Sequence, residues 1–302
     1  MSTSLPTSTA PPPALNVFTT HLPLVNAGLF VLQLVFTWIG FSQGNGAQLK
    51  YETLLTPAPY AFSIWSLIYL LTGVALGVDI FQPSLSFFNN SAKPDVFRVL
   101  FALSCVTNAG WCLLFNNGFV NLATIDITLL WLVLMPIYLF ANYERRVNAF
   151  EWKQYFASEL VFRLYFSWIS AAALVSWTIT FQQMAGGYLP LGSYLTLLTI
   201  LIVLALSGVV YGEDPVIGLV ATWALVALAN KSADGFTGDN HQKFIRIQSS
   251  AALAAGAMLA MIVVSTVHRL VIIHLSRAAQ LVANTPKRGY RSYGAVKTTG
   301  SP

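Results

Sequence analysis

The sequence predicts an all-α, polytopic membrane helical bundle with about eight transmembrane helices. Of the 302 residues, 56% are hydrophobic and only 9% are charged, whereas a soluble domain carries about 25% charged residues. Several apolar runs reach about 20 residues, the length that crosses the hydrocarbon core of a bilayer. The chain must therefore place apolar surface against lipid, and the lipid bilayer is its first predicted partner.

The predicted spans follow the apolar runs, with boundaries good to a few residues. They are residues 24–42, 59–81, 97–116, 119–141, 157–181, 191–210, 215–230 and 249–275. The turn Asn116-Asn117-Gly118 is so short that the third and fourth spans are predicted to form an antiparallel hairpin. The seventh span is short, so a full crossing, a locally thinned bilayer and a partly re-entrant segment all stay open.

The basic residues predict the orientation of the chain. The net charge of +5 comes from 16 Lys and Arg against 11 Asp and Glu. If all eight spans cross, most of the basic residues fall on the side of the C-terminus; the exceptions are Lys50, Lys231, Lys243 and Arg246. The positive-inside rule then places both termini in the cytosol. This distribution explains the charge without a nucleic-acid partner, and it leaves the organelle open.

The sequence contains no motif of a soluble enzyme. A Walker loop, a Rossmann glycine pattern and an H-E-x-x-H metal motif are absent from it. We therefore predict no enzymatic activity, no cofactor and no metal site. Among the ionisable residues inside spans, Glu159 and Arg163 are four residues apart, which favours a structural ion pair on a helix. Asp79 lies near the end of span two, where its carboxylate can reach the membrane interface.

Asp126 is the most informative of the ionisable residues inside spans. Asp126 and Asn108 each lie about nine residues from the hairpin turn, which is about 13 Å at 1.5 Å per residue. They therefore sit at the same depth on neighbouring helices, and Asn108 is the predicted partner of the carboxylate. Two interpretations stay open: a buried polar tie between two helices, or a polar spot in a ligand cavity.

Aromatic pairs give the strongest pattern. Three pairs share a helix face because their members are three or four residues apart; they are Trp65 with Tyr69, Trp111 with Phe115, and Tyr165 with Trp168. Aromatic faces on three helices either line an apolar pocket with a few polar groups or pack the helices together. The spacing alone does not choose between the two.

The same residues lie in segments that resemble the TspO family, the translocator proteins or tryptophan-rich sensory proteins. The segments are TPAPYAFSIWSLIYLLTG, TNAGWCLLF, LATIDITLLW and RLYFSWISAAALVSW, in spans two to five. The resemblance implies that residues 23–182 form a five-helix bundle with an internal pocket, capped by the loop of residues 44–58. Residues 183–282 then form three additional transmembrane helices, as in a longer branch of the family. Residues 1–22 and 283–302 are predicted to be disordered tails, polar and basic respectively.

The resemblance implies a small, flat, mostly apolar ligand, such as a porphyrin or a sterol, bound by a sensor or a transporter. The predicted ligand-binding residues are Tyr60, Phe62, Trp65, Tyr69, Asn108, Trp111, Phe115, Asp126, Tyr165, Trp168 and Ala172. The sequence departs from the family pattern at Phe62, Leu164 and Ser176, which leaves the identity of the ligand open.

Two other functions are weighed beside ligand binding. One is a proton-coupled secondary transporter that uses Asp126, and the other is a membrane scaffold without a ligand. Small residues in the eighth span, AALAAGAMLA, permit close contact between helices. That contact is either internal or made with a second copy in a homodimer.

Overall fold

The computed structural model describes residues 21–43, 50–148 and 150–284, and most of both predicted tails lies outside these residues. Eight long helices contain most of the described residues. They are α1 (Leu22–Gln43), α2 (Ile64–Phe81), α3 (Pro94–Asn116), α4 (Val120–Val147), α5 (Leu160–Ala185), α6 (Leu191–Val210), α7 (Pro215–Ala229) and α8 (Gly238–Asn284). The described residues contain no strand, so the predicted all-α class is confirmed.

The first five helices close into a ring in the order α1, α2, α5, α4 and α3. A 3-10 turn, Pro59–Ser63, leads into α2, and a π turn, Tyr155–Glu159, leads into α5. Between α3 and α4 the chain reverses at Gly118, whose φ of 82° is a conformation that glycine adopts without steric cost. The predicted antiparallel hairpin is confirmed.

Seven of the helices are long and apolar enough to cross a membrane, and α7 is the exception with 15 residues. Just before its first residue, Asp214 contacts Arg163 near the start of α5. Just after its end, Lys231 contacts Glu52, whose carbonyl accepts from Gln182 near the end of α5. The short helix therefore reaches from one end of α5 to the other, which favours a full crossing over a re-entrant segment.

Helices α6 and α7 pack against α5 of the ring, and α8 packs against α6 and α7. Most side chains of α7 are buried, as expected for a helix that is apolar on all sides. A Cβ at Gly218 would lie only 2.6 Å from Cγ2 of Val209 and 2.8 Å from Cδ1 of Ile262. Because glycine has no side chain, Gly218 permits the close approach of α6, α7 and α8.

The last helix is longer than the predicted eighth span. With 47 residues, α8 measures about 70 Å at 1.5 Å per residue, more than twice the ~30 Å hydrocarbon core. The prediction of 249–275 identified only its apolar middle. The helix begins at Gly238 because its polar first turns still bury Phe244 and Ile247, both 0% exposed.

Two buried ion clusters lie at the end of the ring where α5 begins. In the first, the Arg98 guanidinium donates to both carboxylate oxygens of Asp79 at 2.9 and 2.6 Å. Asp79 is 2% exposed, so the expectation that its carboxylate reaches the interface is wrong. Arg98, on the next helix along the chain, satisfies the carboxylate inside the protein.

The second cluster, here called the Arg163 cluster, joins α4, α5 and α7. Arg163 is 0% exposed and donates to Oε1 of Glu159 at 2.6 Å, which confirms the predicted ion pair. Its Nη1 also lies 3.0 Å from Oδ2 of Asp214 and donates to Asn142. Asp214 in turn caps α7 by accepting from the backbone N–H of Val216.

Candidate functional site

A cavity of about 90 Å³ lies beneath the loop of residues 50–63. This loop is called the cap loop below; the preceding residues 44–49 of the predicted cap lie outside the described part of the chain. The remaining walls come from α2, α3 and α5 and from the additional helices α6 and α7. The lining is mostly apolar, so the cavity suits an apolar molecule.

Aromatic rings from three helices lie together around this cavity. The Trp65 ring stacks on Tyr69, with 5.2 Å between the ring centroids, and meets Trp168 edge-on at 6.5 Å. On the opposite wall, Trp111 stacks on Phe115 at 5.5 Å. Such arrangements add about 0.5–1.5 kcal/mol per pair to the burial of the rings. The rings thus form rigid cavity walls, and their part in binding a ligand stays a prediction.

The predicted site residues fall into three groups. Six of them line the cavity: Phe62, Trp65, Trp111, Phe115, Trp168 and Ala172. Three lie behind Trp65 in a hydrogen-bonded network, in which Nδ2 of Asn108 donates to the Tyr165 hydroxyl at 2.8 Å and the Tyr69 hydroxyl donates to Oδ1 of Asn108 at 3.5 Å. Tyr60 and Asp126 belong to neither group.

Tyr60 and Asp126 lie away from the cavity. Tyr60 is 43% exposed and packs edge-on against Trp223. The Asp126 carboxylate packs on the backbone of α3, where a Cβ at Gly110 would lie 3.3 Å from Oδ2. The expected pairing of Asp126 with Asn108 is wrong, because Asn108 and Gly110 point about 200° apart around a helix of 3.6 residues per turn.

Two indole groups of the cavity wall have no hydrogen-bond acceptor. The Nε1 atoms of Trp111 and Trp168 are buried and have no partner within the described residues. By contrast, Trp131, Trp177 and Trp223 each donate to a protein oxygen at 2.9–3.1 Å. An indole N–H only donates, and a buried donor without an acceptor costs about 1–3 kcal/mol. Trp111 and Trp168 line the cavity, and their unpaired donors are buried in its wall.

The sequence did not predict that α6 and α7 line the cavity. Leu197, Leu201, Ala224 and Leu228 contribute to its wall. In a membrane protein an apolar residue faces lipid, a neighbouring helix or a cavity with the same sequence signature. The available signal was the composition of α7, whose apolar residues cover all sides and so predict a buried helix.

The cap loop is fastened to the C-terminal end of α7. Lys231, just after α7, forms an ion pair with Glu52 at 2.5 Å and donates to the Thr56 carbonyl at 3.0 Å. In addition, the backbone N–H of Ala58 donates to the carbonyl of Ala227 at 3.0 Å. The contacts of Lys231 with Glu52 and Thr56 are called the cap latch below. The additional helices therefore hold the loop over the cavity.

A comparison with protein families places these features in one group. The family described as TSPO-like protein matches residues 24–268. The chain belongs to this family. No curated protein and no solved structure matches it. The family match continues through α6 and α7 into α8, so the three additional helices of this TSPO-like protein lie within the matched region.

Family membership and the seven long apolar helices make this TSPO-like protein an integral, multi-pass membrane protein. The cytosolic location of both termini stays a prediction. So does the homodimer, because the small residues of α8 are described in a single chain.

Proposed function

We propose that this TSPO-like protein binds a small, flat, mostly apolar ligand in the cavity beneath the cap loop, as a sensor or a transporter. The observation that supports this most strongly is the pair of buried, unpaired indole N–H groups of Trp111 and Trp168 in a mostly apolar wall. A ligand that brings carbonyl or carboxylate oxygens satisfies both donors. A porphyrin with carboxylate side chains fits this requirement better than a sterol with its single hydroxyl group.

The size of the cavity sets a condition on binding. At about 90 Å³ it is smaller than the roughly 300–1,000 Å³ of most small-molecule sites. A flat ligand with several rings therefore needs the cap loop to move away. The ion pair between Lys231 and Glu52 is one of the contacts that such a movement must break, together with those of Thr56 and Ala58.

The alternative of a proton-coupled transporter has less support. Its proposed carboxylate, Asp126, packs against Gly110 of α3 and does not line the cavity. A scaffold without a ligand requires neither a cavity nor unpaired donors in its wall. Ligand binding is the proposed function that gives a role to both the cavity and the unpaired indole N–H groups in its wall.

The proposal is tested by titrating the purified protein with protoporphyrin while the porphyrin absorbance is followed. We expect Trp111→Phe and Trp168→Phe each to weaken binding about tenfold, because each removes one hydrogen bond to a carboxylate, worth about 1.5–3 kcal/mol. The dimethyl ester of the porphyrin should show a smaller loss, since its carbonyls are neutral acceptors.

The matched control for these variants is Trp38→Phe, because Trp38 is 75% exposed and lies outside the cavity. This variant should bind protoporphyrin as the unchanged protein does. Equal weakening by all three substitutions would contradict the proposed site, and the absence of any saturable binding would contradict the proposed function.

A second prediction concerns the cap latch. We expect Lys231→Met to release bound porphyrin about three to five times faster, because it removes a partly exposed ion pair worth roughly 0.5–1 kcal/mol. Stopped-flow dissociation measures this rate. The control is Lys243→Met, which breaks an ion pair with Asp239 inside α8. An unchanged rate in Lys231→Met, or the same acceleration in both variants, would show that the latch does not restrain the cap loop.

A further inference from the structure

A second cavity lies between α4 and α6, separate from the one beneath the cap loop. This groove measures about 420 Å³, and its floor is formed by Phe166 of α5 and Ile217 of α7. Its rim is exposed on both sides, since Leu139 is 56% exposed and Tyr211 is 77% exposed. The groove is therefore accessible from the surface of the helical bundle that faces the membrane.

The groove changes from apolar to polar along its length. Its α4 wall runs from Trp131 and Met135 to Asn142 and Arg146. These 15 residue steps span about 22 Å at 1.5 Å per residue, roughly three quarters of the ~30 Å hydrocarbon core. The inner end is aromatic, because Phe166 stacks on Trp131 with 5.6 Å between the ring centroids. The polar side chains of the α4 wall, Asn142 and Arg146, lie at the other end of the groove.

A tyrosine hydroxyl in this wall has no hydrogen-bond partner. Tyr138 is 5% exposed and stacks on Phe166 at 4.4 Å. Its hydroxyl has no acceptor or donor within the described residues. It lies 3.0 Å from the position that a Cβ on Gly208 would take and close to Asp214. The buried oxygen therefore faces the neighbouring helices, and the aromatic ring of Tyr138 forms part of the groove wall.

An arginine stands at the polar end of the groove. The Arg146 guanidinium donates to the backbone carbonyl of Tyr211 and so connects the ends of α4 and α6. Arg146 has no ion pair among the residues that the structure describes. The nearby carboxylate of Glu213 is paired with Arg269 at 3.3 Å. The uncompensated charge at this end of the groove is therefore positive and of the type that binds phosphate in two-point contacts.

We propose that the groove is a binding site for one phospholipid with an anionic headgroup. The headgroup phosphate lies against Arg146, the ester groups lie beside Asn142, and one acyl chain follows the groove past Phe166 to Trp131. The order of charged, polar and apolar groups along the groove matches the order of these groups along a phospholipid. This site does not depend on the function proposed for the cavity beneath the cap loop.

Native mass spectrometry of the delipidated protein with added lipid tests the proposal. We expect one phosphatidylglycerol to bind severalfold more tightly than phosphatidylcholine: both lipids bring a phosphate to Arg146, but the choline ammonium of phosphatidylcholine offsets the phosphate charge and repels the guanidinium. Arg146→Gln should remove this preference. The control Lys153→Gln removes one positive charge at the same end of the bundle but outside the groove. This variant should keep the preference for phosphatidylglycerol.

A second pair of variants tests whether the acyl chain occupies the groove. Leu204 lines the groove, whereas its neighbour Val203 does not and is 59% exposed. Leu204→Trp should lower the binding of both lipids at least fivefold, and Val203→Trp should not. The thermal unfolding midpoint of each variant shows that it is folded. Equal binding of both lipids by the unchanged protein, or unchanged binding in Leu204→Trp, would overturn the proposal.

Discussion

Replacing Arg163 by Met is expected to destabilise the protein by about 3–5 kcal/mol, the usual loss when one partner of a buried ion pair is removed. Arg163 is 0% exposed, and its guanidinium contacts Glu159 and Asp214. Without it, two carboxylates remain close together inside the protein with their cation gone. Their repulsion and desolvation act on three helices at once, because the Arg163 cluster joins α4, α5 and α7.

The two buried thiols of the protein supply the readout. Cys105 and Cys112 are free, and they are 1% and 3% exposed, so a thiol-reactive fluorophore labels them only when the bundle opens. We expect the unfolding midpoint of Arg163→Met to fall by about 10 °C. The control Arg269→Met breaks an exposed pair with Glu213 and should cost less than about 1 kcal/mol.

A third variant separates lost charge balance from lost packing. Neutralising both acids together with the arginine, as Arg163→Met with Glu159→Gln and Asp214→Asn, should recover part of the stability, because no unpaired carboxylate is left. Equal midpoints for Arg163→Met and Arg269→Met would show that the cluster contributes no more than a surface pair.

The second large effect is expected at Gly218, where α7 lies close to both α6 and α8. Gly218→Leu places a side chain where a Cβ alone would lie 2.6 Å from Val209 and 2.8 Å from Ile262. Overpacking of this kind costs about 1–3 kcal/mol and sometimes more. Since α7 also lines the cavity with Ala224 and Leu228, the displaced helix should weaken porphyrin binding as well.

The control for Gly218→Leu is Gly256→Leu in α8, where no atom lies within 4 Å of a built Cβ. Both substitutions gain about 1 kcal/mol of helix propensity, so the difference between their unfolding midpoints isolates the steric clash. If the unfolding midpoint of Gly218→Leu is equal to or above that of Gly256→Leu, then α6, α7 and α8 accommodate the larger side chain without a loss of stability.

Much of the fold was predictable because membrane spans have a strong signature. Runs of apolar residues predicted all eight long helices, and the short turn at Gly118 predicted the hairpin. Local spacing also gave the ion pair of Glu159 with Arg163 and the shared faces of the aromatic residues. Each of these features depends on residues that are close together in the chain.

The remaining features depend on contacts between distant residues. Asp214 joins Arg163 from 51 positions away in the sequence, and no local pattern indicates that partner. Depth along a helix and the angle between two side chains of one helix follow from counting residues, but the rotation of that helix relative to its neighbours does not. That is why Asp126 and Asn108 were placed at one level and yet have different neighbours.

The position of α6 and α7 also determines how a guest molecule reaches the interior. These two helices occupy the flank of the five-helix ring through which a hydrophobic compound dissolved in the bilayer would otherwise diffuse sideways. A chain shortened after Ala185 would open that flank, unfasten the cap loop and deprive Arg163 of Asp214. Because α6 and α7 line the cavity on this side, we expect entry and exit to proceed past the cap loop, from the aqueous side.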